Sequence, residues 1–117
     1  MFLQLNHKNL ELCKVSRELI KESYKVTLLL PAEEKYTLVQ QISRAALSVK
    51  LNVAEGSSRK PETERKRYLE ISRGSVIEID ATAEAMVDLN YSTVEPLEQL
   101  GKHLNSCFAL LPKMINS

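Results

Sequence analysis

Apolar residues recur along this chain at spacings of three and four, and three points of punctuation divide the pattern into four segments. The breaks are Pro31, the stretch Gly56-Ser57-Ser58-Arg59-Lys60-Pro61, and Asn90-Tyr91-Ser92-Thr93. The spacing matches the 3.6-residue repeat of an α-helix and predicts helices over about 8–30, 32–58, 62–89 and 93–115. In the first segment Leu12, Val15, Leu19, Val26 and Leu30 form one stripe, interrupted by Ser23. It should stop at Pro31, because a residue before proline is pushed away from helical geometry, while proline itself suits the first turn of a following helix. The second segment opens with Glu33 and Glu34, where the helix dipole favours negative charge. Its inner stripe is Leu38, Ile42, Ala45, Val49 and Val53, widened by Val39 and Ala46.

The third segment turns Tyr68, Ile71, Val76, Ile79, Ala83 and Met86 inward and Lys66, Arg73, Asp80 and Glu84 outward. Ser92 and Glu95 have the spacing of a capping box, opening a fourth helix whose seam is Leu97, Leu100, Leu104, Cys107, Leu111 and Met114. Pro112 is expected to end or kink that helix early. Four such segments with short connections predict an all-α fold, an antiparallel up-down-up-down four-helix bundle forming a single domain over 1–117.

One feature exceeds what a lone bundle requires. At about 100° per residue, Tyr36, Leu47, Leu51 and Ala54 fall nearly opposite the inner stripe of the second helix. A second apolar stripe points to contact with another copy or partner, so these four residues are the candidate oligomer interface.

A chain of 117 residues can bury one continuous core, and 44% hydrophobic with 26% charged residues argues against disorder. Only three glycines are present, a shortage that helices tolerate better than turn-rich β architectures. The first residues lack the basic-then-apolar order of a secretory signal, and the longest apolar run is Leu28-Leu29-Leu30. No membrane-spanning helix or membrane partner is expected, since crossing a bilayer takes roughly 20 mainly apolar residues; the expected location is the cytoplasm. Cys13 and Cys107 stand far apart without a CxxC or Cys/His cluster, so both read as small hydrophobes.

Net charge is +1, yet its distribution is uneven: residues 1–73 hold 14 Lys+Arg against 9 Asp+Glu (+5), and residues 74–117 hold 2 against 6 (−4). The halves can neutralise each other, or each can face a partner. Within 59–73, Arg59, Lys60, Arg65, Lys66, Arg67 and Arg73 outnumber Glu62, Glu64 and Glu70. Together with Arg44 these are the candidate nucleic-acid contacts, because Lys and Arg neutralise phosphates; the competing reading is an ordinary solvated face. Tyr68 lies in the cluster, but its phase reads as core.

Beside the core face of helix two run Gln41, Arg44, Ser48, Asn52 and Glu55, and helix three carries Ser72, Gly74, Ser75 and Glu78 near its own. Small residues would let the backbones approach, with Asn52 reaching Glu78 or Ser75. Ser48, Asn52, Glu55, Gly74, Ser75 and Glu78 therefore read as a polar layer fixing helix register. The catalytic alternative pairs Glu55 with Glu78 as acid and base. Neither His7 nor His103 has a Glu three residues before it, as a di-metal bundle site would need, and no nucleophile elbow, P-loop or dinucleotide fingerprint occurs. No catalytic residue, metal or cofactor is expected.

The run Pro31-x-x-Glu34-x-x-x-Leu38-x-x-Gln41-x-x-Arg44-Ala45-Ala46-x-Ser48-Val49-x-x-Asn52-x-Ala54-Glu55-Gly56-x-x-Arg59, followed by Tyr68-Leu69-x-Ile71-x-Arg73-Gly74-Ser75-x-x-Glu78, resembles the four-helix-bundle proteins encoded in intervening sequences of 23S ribosomal RNA genes. The resemblance implies a homopentameric ring without enzymatic activity. It also implies kinship to the accessory protein of diversity-generating retroelements, a basic pentamer that binds nucleic acid and a reverse transcriptase. The sequence departs from the pattern at Pro61, where Ser or Thr is usual, and at Arg65, where an aromatic is common.

The leading expectation is a non-enzymatic oligomeric module contacting RNA, DNA or a nucleic-acid-handling protein. The alternative is a protein-binding scaffold whose partner meets the acidic residues Glu84, Asp88, Glu95 and Glu98.

Overall fold

The computed structural model describes residues 1–5 and 10–117; the predicted helix start at Lys8, and His7, lie outside the described residues. Four α-helices hold the regular structure: α1 Glu11–Thr27, α2 Leu38–Ser58, α3 Glu62–Asp88 and α4 Glu98–Ile115. Among the described residues there is no strand. α1 packs on α2 and α4, and α3 packs on the same two helices, with the broadest contact between α2 and α3. The core that all four share is built from Leu12, Leu19, Val26, Ile42, Val49, Val53, Leu69, Ile79, Met86, Leu100, Leu104 and Leu111.

The helix ends differ from the expected ones for local reasons. α1 stops at Thr27, because Leu28, Leu29 and Leu30 each donate three residues back, to Lys25, Val26 and Thr27. This tighter turn leads into the extended backbone of Pro31. After Pro31 the chain makes only a 3-10 turn, Ala32–Glu34, and α2 begins at Leu38. Side chains hold this segment off the helix axis: the Glu34 carboxylate accepts from the Thr37 hydroxyl and, at 2.7 Å, from the Tyr91 hydroxyl. Tyr36 thus precedes α2 and is not part of its outer stripe.

α3 closes with a motif the sequence punctuates clearly. Asn90 takes φ 64°, its N–H bonds Val87 O, and the N–H of Tyr91 bonds Met86 O at 2.9 Å. This pair of bonds is the Schellman arrangement, and Asn accepts the left-handed conformation more readily than most residues. The expected capping box does not form, since Ser92 Oγ donates to Thr93 O and a 3-10 turn at Glu95–Leu97 carries Pro96 ahead of α4. Pro112 neither ends nor shortens α4, which runs on to the buried Ile115.

The face of α3 is the main correction to the hydrophobic pattern. Leu69, Ser72, Ser75, Val76, Ile79, Thr82 and Met86 are buried, while Ile71 is exposed and Tyr68 half-buried. Hydroxyls sit at core positions because their hydrogen bonds are satisfied there. Ser72 Oγ donates to Val49 O across the helix pair at 2.8 Å, and Thr82 Oγ1 to Glu78 O within α3 at 2.7 Å. A phase drawn from apolar residues alone is pulled toward Tyr68 and Ile71 and away from these serines.

Candidate interaction surface

Between α2 and α3 lies an open groove of about 580 Å³ lined by Gln41, Arg44, Ala45, Ser48, Ile71, Gly74, Ser75 and Glu78. Four of these residues, Ala45, Ser48, Gly74 and Ser75, have small side chains that leave the walls of the groove low. A Cβ built on Gly74 would meet nothing within 4 Å, so the groove is open above it. Every lining residue also belongs to the motif that carries the family resemblance.

Of the polar layer, the structure brings together Ser48, Asn52 and Ser75, and separately Gln41 and Glu78. Ser75 Oγ donates to Ser48 Oγ at 2.8 Å, and Asn52 Nδ2 donates to Ser48 O at 2.8 Å and to its hydroxyl at 3.0 Å. Gln41 Nε2 donates to Glu78 Oε2 at 3.0 Å. Asn52 therefore bonds within its own helix and not to Ser75 or Glu78. Glu55 is outside the layer: it is exposed and paired with Arg59 at 2.8 Å.

This placement separates the two carboxylates of the catalytic alternative. Glu78 is tied to Gln41, and Gln41 and Glu55 are fourteen residues apart on α2, a rise of roughly 21 Å. General acid-base partners must flank one reacting group, which this spacing forbids. Among the described residues no three His, Cys, Asp or Glu side chains converge as metal ligands would.

The seven basic residues do not form one patch. Arg59 and Arg67 stack on the Tyr68 ring, their guanidinium carbons 5.3 and 4.7 Å from its centroid. Tyr68 is thus a half-buried platform for cations where the sequence pattern made it core. Lys66 pairs with Glu62 at 2.9 Å, and that bond holds the Glu62 carboxyl below its ordinary range. Arg65 turns inward, donating from Nη2 to the Ser117 main-chain oxygen at 2.7 Å with Nε buried and unpartnered, at the site where the resemblance pattern has an aromatic. Arg73 lies over Phe108 of α4, 4.9 Å from the ring centroid, and Arg44 borders the groove on α2. Lys60 is exposed beside Pro61, which precedes α3 without a side-chain cap.

On the far side of α2 from its buried face, Leu47 is 39% and Leu51 60% exposed, with Ala54 half-buried beside them. Tyr36 is more exposed still, but on the preceding turn.

A family model described as 23S rRNA-intervening sequence protein matches residues 8–113. The chain belongs to that family. Among solved structures, the chain is similar to a protein of unknown function of the S23 ribosomal protein family from Bacteroides thetaiotaomicron. The two are 20% identical, the match covers 91% of this chain and 99% of that one, and the TM-score is 0.81. At this identity the likeness is one of fold. No curated protein matches the chain. Among the described residues no helix is long and apolar enough to cross a membrane.

Proposed function

We propose that this chain is a non-enzymatic binding module that works as a homo-oligomer, its copies held together through the outer flank of α2. The observation that carries the reading is the pair of exposed leucines, Leu47 and Leu51, opposite a face of the same helix that is already buried. Exposing them costs free energy that a second apolar surface would recover, at about 25 cal/mol per Å² covered. The family resemblance makes a five-membered ring the expected assembly. Within each copy the helices alternate in direction, a reading supported by the α2–α3 bonds: as the α2 partner advances from Gln41 through Ser48 to Val49, the α3 partner retreats from Glu78 through Ser75 to Ser72. Sedimentation velocity tests the assembly. Leu47→Asp and Leu51→Asp are expected to yield smaller, folded particles; wild-type-sized particles from both would end the proposal.

A second reading, contact with RNA or DNA, is favoured by the cations at one end of α3. Arg59 and Arg67 are pre-positioned on Tyr68 near Lys60, so less side-chain freedom is lost when a phosphate binds. The ion pairs of Arg59 and Lys66 are exposed and weak enough to exchange for phosphate. A gel-shift titration over a salt series, comparing wild type with Lys60→Glu/Arg67→Glu, should show salt-sensitive binding that the double variant loses. Binding of neither structured RNA nor DNA at micromolar protein in low salt would leave a protein partner as the only external one.

A further inference from the structure

Three acidic residues, Glu22, Glu95 and Glu98, lie together away from the groove and the basic cluster. Where the end of α1 meets the start of α4 lies a cleft of about 670 Å³, lined by Glu22, Lys25, Val26, Leu28, Leu29, Glu95, Pro96, Glu98 and Gln99. Its floor is apolar and open to water: Leu28 is 83% and Leu29 41% exposed. Its rim sets three carboxylates, Glu22, Glu95 and Glu98, against one cation, Lys25, and none of the three takes part in an ion pair among the described residues.

We infer that this cleft is a docking site for a basic amphipathic segment of a partner protein, one whose apolar side chains seat on Leu28, Leu29 and Pro96 while flanking lysines or arginines meet Glu22, Glu95 and Glu98. Each half of the site explains the occupant's chemistry. An exposed apolar patch rimmed by charge is the usual mark of a protein contact, and helical segments enter such clefts with anchors at helical spacing. Three carboxylates against the single Lys25 leave a net negative rim around the leucines, which opposes an acidic or phosphate-bearing ligand and draws a cationic one, steering encounter as well as register. A nucleic acid is therefore disfavoured here by charge. The basic end of this same chain offers charge but, at Arg59-Lys60-Pro61, no apolar anchors to match the floor. The site is independent of the α2 flank that carries the proposed self-association.

The test uses fluorescence anisotropy with three labelled synthetic peptides. One is a Leu/Lys peptide with leucines at helical spacing, one replaces its lysines by glutamate, and one replaces its leucines by serine. The full chain is compared with Glu95→Lys/Glu98→Lys and with Leu28→Ser/Leu29→Ser. Because first-turn acids also stabilise α4 through the helix dipole, circular dichroism melts check that each variant is folded. The Leu/Lys peptide alone should bind wild type, and each double variant should weaken it by about ten-fold or more, as loss of a central anchor or charge pair does. Leu51→Asp should leave peptide binding intact, which separates failure here from failure of the self-association reading. Equal binding of the Leu/Lys peptide to wild type and both folded double variants would overturn the inference. So would equal binding of the serine peptide, or a change in sedimented size of the double variants, which would make the cleft a contact between copies.

Discussion

Gly56 and Gly74 offer a controlled comparison, since both lie on the helices that meet in the α2–α3 contact but have opposite surroundings. A Cβ added at Gly56 would stand 3.0 Å from Leu69 Cγ, 3.2 Å from Leu69 Cδ2 and 3.1 Å from the Arg65 carbonyl oxygen. Leu69 is fully buried, and the carbonyl is part of the α3 backbone, so neither neighbour moves freely. At Gly74 the added carbon meets nothing within 4 Å. Replacing glycine by alanine inside a helix gains about 0.5–1 kcal/mol from backbone entropy. Gly74→Ala should therefore be stabilised by about that amount. Gly56→Ala lies near the end of α2 and recovers less of this gain, against an overpacking cost of about 1–3 kcal/mol. The two variants should differ by about 1–4 kcal/mol, which for a chain of this size is a gap of roughly 4–20 °C in melting temperature. Urea denaturation of both variants at one protein concentration reads the difference directly. Equal stabilities would refute the close approach of α2 to α3 at Gly56, and with it the positioning of Arg59 against Tyr68 at that end.

Other expectations follow from single contacts. Ser72→Ala should lose about 1 kcal/mol, because the Ser72 hydroxyl donates to Val49 O across buried helices, while Ser23→Ala should cost nothing or stabilise, its buried hydroxyl having no partner; urea titration distinguishes them. Glu34 is held below the usual carboxylate range by the hydroxyls of Thr37 and then Tyr91, so its contribution is present above that range and lost as pH falls through its folded value. The Tyr91 hydroxyl is pushed above its ordinary value, chiefly by the same bond, so its contribution holds at neutral pH and is lost as pH rises through the folded value. Tyr91→Phe should move the Glu34 carboxyl upward in an NMR titration, with Thr37→Val moving it further; no movement in either would remove the clasp. Cys107, its thiol pushed up to about 12 by burial, should resist alkylation at pH 8 until the chain unfolds, so labelling rates report opening of the core.

The four helices were legible because apolar spacing is a bulk property: Ile42, Val49 and Val53 on α2 and Leu100, Leu104, Cys107 and Leu111 on α4 are buried as their period predicts. Hydroxyl positions were harder, because a serine can be buried when a backbone carbonyl lies opposite, and which carbonyl does so is decided by tertiary packing. Ser72 and Ser75 belong to the core only because Val49 O and Ser48 Oγ are there to receive them. Missing those two shifted the apparent inner face of α3 toward Tyr68 and Ile71. The helix starts were misjudged where side chains compete with the backbone: Glu34, Thr37 and Tyr91 join residues fifty-seven apart in sequence, a contact that no local window contains.

The candidate surfaces follow the same division between local and non-local information. The uneven charge of the sequence is real, but its halves were cut by residue number, while the fold sorts charge by place. Glu22 lies in the basic half of the sequence, yet lines a cleft with Glu95 and Glu98 from the acidic half. Arg65, counted among the surface cations, is spent on the Ser117 carbonyl, and Glu55, counted in the polar layer, is spent on Arg59. What decides whether a charge is available to a partner is therefore the neighbour the fold places against it, whether along its own helix or across a contact. By that criterion the candidate cations left for a ligand are Arg44, Lys60, Arg67 and Arg73, together with Arg59 and Lys66 through exposed pairs that can exchange. The carboxylates left include those of the α1–α4 cleft and, on α3, the exposed Glu84 and Asp88. Basic and acidic contacts then belong to separate surfaces, and an assembly built through the α2 flank would carry both without either having to be buried.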